Sequence, residues 1–311
     1  MSKMNMYAQL LIDEALKRGI EVEEIDYRFN LFALKYKGET VHCRESLTDK
    51  TSAYTMTVCA NKWLTLRFLR QAGISVPDQA LWESGEQGQN FLKQCDGRLV
   101  VKPLGGEQGL GITVDVRSDD ELKLALEEAS KYDSDILLEQ FVEGKDLRVI
   151  VIDYKFVAAI ERVPAAVTGD GKHTAEELIA RRNKELFRET DGESQIPVDA
   201  ATETVLEDQG FSLQGVLPDG KQARVCRLAN FHSGGTIVDV TDRVSPKLRS
   251  VSEQAAKVLN IPVTGLDLLV PDVSGDEYVI IEANERPGLA NHEPQPTAER
   301  FIDFLFPETA S

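Results

Sequence analysis

Asp267, Glu282 and Asn284 are the residues of this chain whose types and spacing speak most directly of chemistry. Glu282 and Asn284 stand two apart at the end of a strand-like run, so their side chains leave one face. Asp267 lies in the preceding apolar run, flanked by Leu266, Leu268 and Leu269. A turn rich in Pro, Asp, Ser and Gly joins the two runs. Antiparallel pairing about Ser274–Gly275 then sets Asp267 opposite Glu282. Such cross-strand neighbours hold their Cβ atoms about 5 Å apart. Two carboxylates and an amide oxygen so placed repel unless a cation lies between them. Few protein oxygens suit Mg²⁺, which keeps water and borrows phosphate oxygens. The alternative is a polar strand end facing solvent. Asp267 counts against it, because a charge inside an apolar strand needs a partner.

Weaker signals lie upstream. Lys102 ends the apolar run Leu99–Val101 and precedes the glycine-rich segment Gly105–Gly111. Glycines let backbone N–H groups approach a polyphosphate, and a lysine adds charge. The segment lacks the GK[ST] ending of a P-loop and does not fit GxGxxG, so a plain turn is an equal reading. Lys62 opens a helix, where a solvated lysine is the ordinary case. The segment Glu139–Gly144 follows a strand; it either offers backbone groups to an adenine edge or is a linker. Arg227, Asn230 and Ser233–Gly235 form a polar loop able to bind an anion through backbone N–H groups. His173 precedes a helix cap and reads as structural. His232 faces either substrate or solvent.

These residues need a scaffold, and the patterning supplies one. Helices are expected at Tyr7–Arg18, Asn61–Gln71, Asp119–Ala129 and Ser250–Leu259. Thr174 and Glu177 form a capping box that opens another. Strands are expected at Val22–Ile25, Leu31–Tyr36, Thr40–Cys43, Leu99–Val101, Ile112–Val116, Ile136–Leu138, Leu147–Ile152, Phe156–Ile160, Ile237–Val240, Val263–Val270 and Tyr278–Ala283. Asp153–Lys155 reads as a hairpin turn. Asn183–Ala201 is polar and reads as an irregular loop.

The chain has 311 residues and a net charge of -17, which disfavours nucleic acid and anionic membrane surfaces as partners. A local basic cluster still admits ATP. Cys43, Cys59, Cys95 and Cys226 are scattered without a CxxC pair, so reduced thiols are expected rather than zinc or disulfides. No signal peptide or membrane span is visible, and a cytoplasmic location is expected.

The order of these features is more specific than any one of them. A helix lysine (Lys62), a strand-end lysine (Lys102), a glycine loop, E-x-x-V (Glu139–Val142) and D…E-x-N (Asp267, Glu282, Asn284) together resemble the ATP-grasp superfamily. RVPAAVTGDGKHTAEELI (162–179) and RLANFHSGGTIVDVTD (227–242) look like segments of cyanophycin synthetases. They look equally like the C-terminal, glutathione synthetase half of bifunctional glutamate–cysteine ligase/glutathione synthetases. LLIDEALKRGIEVEEID (10–26) with TSAYTMTVCANKWLT (51–65) looks most like the second family. The sequence departs from it in lacking the glutamate–cysteine ligase half and in its short N-terminal unit.

The resemblance implies an α/β (α+β) ATP-grasp fold. It would comprise a small N-terminal α/β unit (1–58), a central lid subdomain (59–145) and a C-terminal antiparallel-sheet subdomain (146–311), with ATP between the last two. It implies ATP and Mg²⁺ or Mn²⁺, as two ions. Lys62 and Lys102 would bind phosphates, and Gly106, Gly109 and Gly111 would close over them. Glu139, Gln140 and Val142 would border the adenine, and Asp146 the ribose. Arg227 and Asn230 would face the phosphates or the acceptor. Arg286 would join them, as would Arg148 and Arg162, for each of which a strand-surface ion pair is the alternative. Asp267, Glu282 and Asn284 would hold the metal. The implied reaction joins a small-molecule carboxylate to an amine through an acylphosphate, γ-glutamylcysteine and glycine being the leading pair in a glutathione-forming role. A cyanophycin-type ligase, a kinase and a non-catalytic nucleotide-binding module are the alternatives, and a homodimer is left open.

Overall fold

Eight of the described helices begin where a short polar side chain can satisfy a backbone N–H that the helix leaves unpaired, whereas helix Thr297–Leu305 follows Pro296 without such a cap. Asn5, Ser52, Asn61, Ser84, Ser118, Thr174, Asp199 and Ser245 all accept from the N–H three residues on. Such caps contribute about 1 kcal/mol each. The Thr174–Glu177 capping box forms as expected. Ser245 starts its helix earlier than expected, at Pro246, because proline suits the first helical turn. The computed structural model describes residues 3–105, 110–190, 192, 194–227, 229 and 233–310.

The chain divides into two compact units, Met1–Ile160 with Val240–Ser311, and Glu161–Asp239. The first holds most of the residues singled out above. Four consecutive strands of its main sheet run in the order Lys155–Val163, Lys145–Ile152, Val263–Val270, Val279–Asn284. The turn at Asp153 and Tyr154 has both residues at positive φ, as a two-residue hairpin requires. The third strand is buried along nearly its whole length, because both faces are covered. Leu147, Val149, Leu266 and Leu268 pack with Leu66, Leu69, Leu248 and Val251 of helices Lys62–Gln71 and Pro246–Val258. On the opposite face Ile150, Ile152 and Val263 pack with Phe32, Leu34, Phe301 and Ile302.

Those last partners come from a four-stranded antiparallel sheet, Glu21–Asp26, Leu31–Tyr36, Glu39–Arg44 and Leu47–Thr48, and from helix Thr297–Leu305. A second four-stranded antiparallel sheet has the order Gln79–Leu81, Ile136–Gln140, Leu99–Pro103, Thr113–Val116. Helix Asp119–Ala129 lies where expected and buries Leu122, Ala125 and Ala129 against that sheet. Helices Ala53–Cys59, Gly85–Gln94 and Thr297–Leu305 were not expected from the sequence.

The second unit has its own core around Val167, Ile179, Leu186, Leu206 and Val225. Here one expectation fails. Asn183–Ala201 is not irregular throughout, since helix Ala175–Glu189 continues to Glu189 and another helix starts at Ala200. The charged residues of Asn183–Glu189 are a solvated face, with Arg182 bridging Glu185 and Glu189. Asn183 pairs with both backbone groups of Ile196. No helix among the described residues is long and apolar enough to cross a membrane.

Candidate active site

Asp267 pairs with Glu282 across the hairpin, as the spacing required, and Gly265 with Asn284. The route to that register includes a bulge. Nearer the turn, Leu268 faces Ile280 and Leu269 faces Val279, so Ile281 is an extra residue. A bulge shifts the phase of side-chain alternation. Ile280 and Ala283 are buried, whereas Ile281, Glu282 and Asn284 are half-exposed. Ile281 therefore turns Glu282 off the core face and onto the face of Asn284.

Asp267 is 2% exposed, and its charge does have a partner. On its other side it faces Arg148, whose Nη2 donates to Oδ2 at 2.9 Å while Nε donates to Oδ1. Gly265 makes this possible, because a Cβ there would lie 3.1 Å from Arg148 Nη1 and 3.2 Å from its Cδ. Arg148, Asp267 and Glu282 thus form a row across three strands, on the same face as Ile150 and Val263 but beyond the part that the N-terminal sheet covers.

Glu282 lies 4.0 Å from Lys62 Nζ. Burial raises its carboxyl above the ordinary range, and the charge of Asp267 raises it further. Lys62, Lys102 and Arg148 pull in the opposite direction. Lys62 is the first residue of its helix, fixed by the Asn61 cap. Lys102 forms a buried ion pair with Glu139 at 2.8 Å, and Gln79 Nε2 donates to the same carboxylate oxygen at 2.7 Å. The two lysines and three site carboxylates therefore belong to one compact unit.

The glycine segment is anchored at both ends. Asp133 accepts from Gly105 N at 2.8 Å, and backbone N–H groups from Asp135 and Gly105 hold its carboxyl below the usual range. Gly111 has φ +70, and a Cβ there would come within 2.6 Å of the Tyr132 ring. Only glycine fits such an approach. Gly106, Gly109, Asn230 and His232 lie outside the described residues.

The remaining positions are distributed as follows. Gln140 N donates to Asp78 O at 2.8 Å, and Phe141 N donates to Arg98 O at 3.2 Å. The Arg98 guanidinium stacks 4.1 Å from the Phe141 ring centroid. Val142 is half-buried, and Asp146 pairs in register with Leu269. Arg286 Nη1 donates to Glu45 at 3.2 Å. Arg227 lies in the second unit, where its Nη2 donates to Asp208 at 2.7 Å. His173 is braced between Asp170 and Arg181, in keeping with a structural role. Glu45 and Asp133 were missed by the sequence reading; each carries no local motif.

The donor set fits a hard divalent cation. Asn284 Nδ2 donates to Gly265 O at 3.3 Å, which leaves Oδ1 as a ligand atom beside Glu282, while the two Asp267 oxygens, both engaged by Arg148, keep further lone pairs for a cation. Among the described residues no three His, Cys, Asp or Glu side chains gather as a complete cage. A site of this kind suits a cation that completes its shell with phosphate oxygens and water.

Residues 59–189 match the RimK-like ATP-grasp domain. The class is thereby defined: this is an ATP-grasp fold, built on mixed α/β elements with antiparallel sheets. The chain is 33% identical to cyanophycin synthetase of Nostoc sp. strain PCC 7120, over 97% of its own length and 35% of the relative's. It is 31% identical to the glutathione biosynthesis bifunctional protein GshAB of Enterococcus faecalis, over 93% of its length and 40% of that protein's. The crystal structure of a bifunctional glutathione synthetase from Pasteurella multocida superposes with a TM-score of 0.69 at 25% identity, covering 99% of this chain and 44% of that one. D-alanine–D-alanine ligase from Bacillus anthracis shares the fold, with a TM-score of 0.53 at 16% identity over 83% of this chain and 71% of that one. The chain thus spans well under half the length of the curated relatives it matches.

Proposed function

We propose that this protein is an ATP-dependent carboxylate–amine ligase of the glutathione synthetase type, joining γ-glutamylcysteine or a similar peptide acid to glycine or a similar amine. The observation that carries this reading is the Asp267–Glu282 pair with Lys62 4.0 Å from Glu282. Carboxylates and a lysine so close suit a metal–triphosphate complex better than a solvated strand end. Cyanophycin synthetase and the bifunctional glutathione synthetase, both named as synthetases, support the same class.

In this reading a substrate carboxylate oxygen attacks the γ-phosphorus of ATP, and the β–γ bridging oxygen leaves with ADP. The acylphosphate then takes up the amine at its carbonyl carbon. Phosphate departs with the C–O bond electrons, the nitrogen loses a proton, and an amide remains. Lys62 and Lys102 orient the phosphates and offset their charge, the main contribution to catalysis in such transfers. Gly106, Gly109 and Gly111 close over them and exclude water. Glu139, Gln140 and Val142 border the adenine, and Asp146 meets the ribose. Arg227, Asn230 and Arg286 face the reacting groups. Asp267, Glu282 and Asn284 would hold Mg²⁺ or Mn²⁺, as two ions, which would supply positive charge to the triphosphate. ATP occupies the space between a central (59–145) and a C-terminal (146–311) subdomain, beside an N-terminal unit (1–58). The enzyme works in the cytoplasm on dissolved substrates.

The identity to cyanophycin synthetase over nearly the whole chain favours a second reading, an amino-acid ligase that extends a peptide. An ADP-release assay separates the two. γ-Glutamylcysteine with a panel of amines is compared with peptide acids and amino acids. Glu282→Ala is expected to keep the fold and abolish release. Full activity in that variant would sink the metal assignment, and no amine-dependent release from any pair would leave a non-catalytic nucleotide-binding module.

A further inference from the structure

Arg286 stands two residues beyond Asn284, at the end of the carboxylate strand, and Glu45 holds it from outside that strand. Arg286 Nη1 donates to Glu45 Oε2 at 3.2 Å. Glu45 Oε1 accepts from Asn5 Nδ2 at 2.8 Å and Asn30 Nδ2 at 3.2 Å. Asn30 Oδ1 in turn accepts from Asn5 N at 2.9 Å, and Asn5 Oδ1 caps the first helix. Glu45 adopts φ +53, and its side chain is 12% exposed. Next to it, Ser46 Oγ donates to Pro287 O at 2.7 Å.

This is more scaffolding than a surface ion pair needs. An exposed pair contributes little stability, whereas a near-buried carboxylate fixed by two carboxamides sets a direction. A guanidinium carries five N–H donors in a rigid fork. Among the described residues, Glu45 is the acceptor that Arg286 meets. The Arg286 side chain is 24% exposed, and Nη1 is the atom that Glu45 engages, which leaves the Nε–Nη2 edge of the fork for a further acceptor. A planar fork held along one edge offers the other to a carboxylate in two parallel hydrogen bonds.

We infer that Glu45 is a positioning residue that aims Arg286 at the carboxylate of an amino-acid acceptor, so that the enzyme selects amines bearing that group. The inference rests on the ligase reading above. It assigns the N-terminal sheet a part in acceptor choice, through a residue that touches no substrate itself.

The test compares glycine with glycinamide as acceptors, with γ-glutamylcysteine as donor and ADP release as the readout; if the amine panel selects another amino acid, that amino acid and its amide take their place. Wild type is expected to favour the free acid. Glu45→Gln is expected to raise the acceptor KM about tenfold, the scale of one charge-assisted hydrogen bond. The KM for ATP and the rate with the amide stay within about twofold, so the preference collapses. Arg286→Lys, which loses the fork, is expected to raise the acceptor KM as well. Ser46→Ala, which cuts the neighbouring bond alone, is expected to keep the preference. An unchanged acceptor KM in Glu45→Gln, or equal losses with both acceptors, would overturn the inference. Should Glu45→Gln not melt cooperatively, Glu45→Asp is read instead, with the same two outcomes. No release from wild type with any acceptor overturns the ligase reading first, and this inference with it.

Discussion

Arg148 and Asp267 face one another across adjacent strands, and the guanidinium takes both oxygens of a carboxylate that is 2% exposed. The pair explains how a charge survives in the middle of an apolar strand. Removing one partner of a buried pair leaves the other uncompensated, at a cost of about 3–5 kcal/mol. Arg148→Met is therefore expected to destabilise the protein by about 3 kcal/mol. Adding Asp267→Asn should recover much of that loss, because no charge is then left unpaired. Urea denaturation of the two single variants and the double variant gives the coupling. Additive effects would mean that the two side chains act independently.

Asp115 is the bulged residue of strand Thr113–Val116, with φ +64, and its carboxylate bridges Arg98 and Arg117. Burial alone would raise its carboxyl, but the two guanidiniums together outweigh burial and lower it to about 2. The sign follows from linkage. A lowered folded value stabilises the protein above the unfolded value, and the contribution fades as pH falls toward about 2. Asp115→Asn keeps the shape and the tolerance of positive φ. It is expected to cost about 1 kcal/mol at neutral pH, a figure discounted because both arginines are partly exposed. The difference from wild type should close between about pH 4 and pH 2. A difference that is flat over that window would mean the carboxylate charge is not what matters.

The hairpin was legible because two-residue spacing and a short turn fix a register. The bulge at Ile281 was not, and the symmetric pairing assumed from the sequence reached the right partner only because the turn itself is offset. Apolar strands buried on both faces, such as Val263–Val270, announced themselves by composition. Polar elements did not. Helix Gly85–Gln94 buries only Gly88, Phe91 and Leu92, so its period is faint, and Asn183–Glu189 looked like loop because it displays a charged face. Glu45 was invisible for a different reason. Its partners Asn5, Asn30 and Arg286 lie 40, 15 and 241 residues away, so only the folded chain brings them together.

The four cysteines are expected to be inert in the native state. All are buried. Burial pushes the Cys59 thiol up to about 12 and those of Cys95 and Cys226 to about 11, and raises Cys43 further still. The thiolate is the reactive form, so its population at pH 8 is very small. A chromogenic disulfide reagent should titrate almost no thiol in the folded protein and all four in denaturant. Rapid modification of one thiol in the native state would contradict the burial described for it.

Lys102 and Glu139 pose the sharpest separation between stability and chemistry. Their side chains are 8% and 5% exposed, and they pair at 2.8 Å. Lys102→Met strands the carboxylate beside Gln79, so both folding and nucleotide binding are expected to suffer. The double variant Lys102→Met/Glu139→Gln removes both charges while leaving Gln79 a partner. Its stability should return to within about 1.5 kcal/mol of wild type, the margin typical of volume-conserving core changes. ATP binding should not return with it, because the charge that would meet the phosphates is still missing. Calorimetric ATP titration beside thermal melts reads the two effects separately. A double variant that recovers both stability and ATP affinity would confine Lys102 to the core and remove it from the nucleotide site.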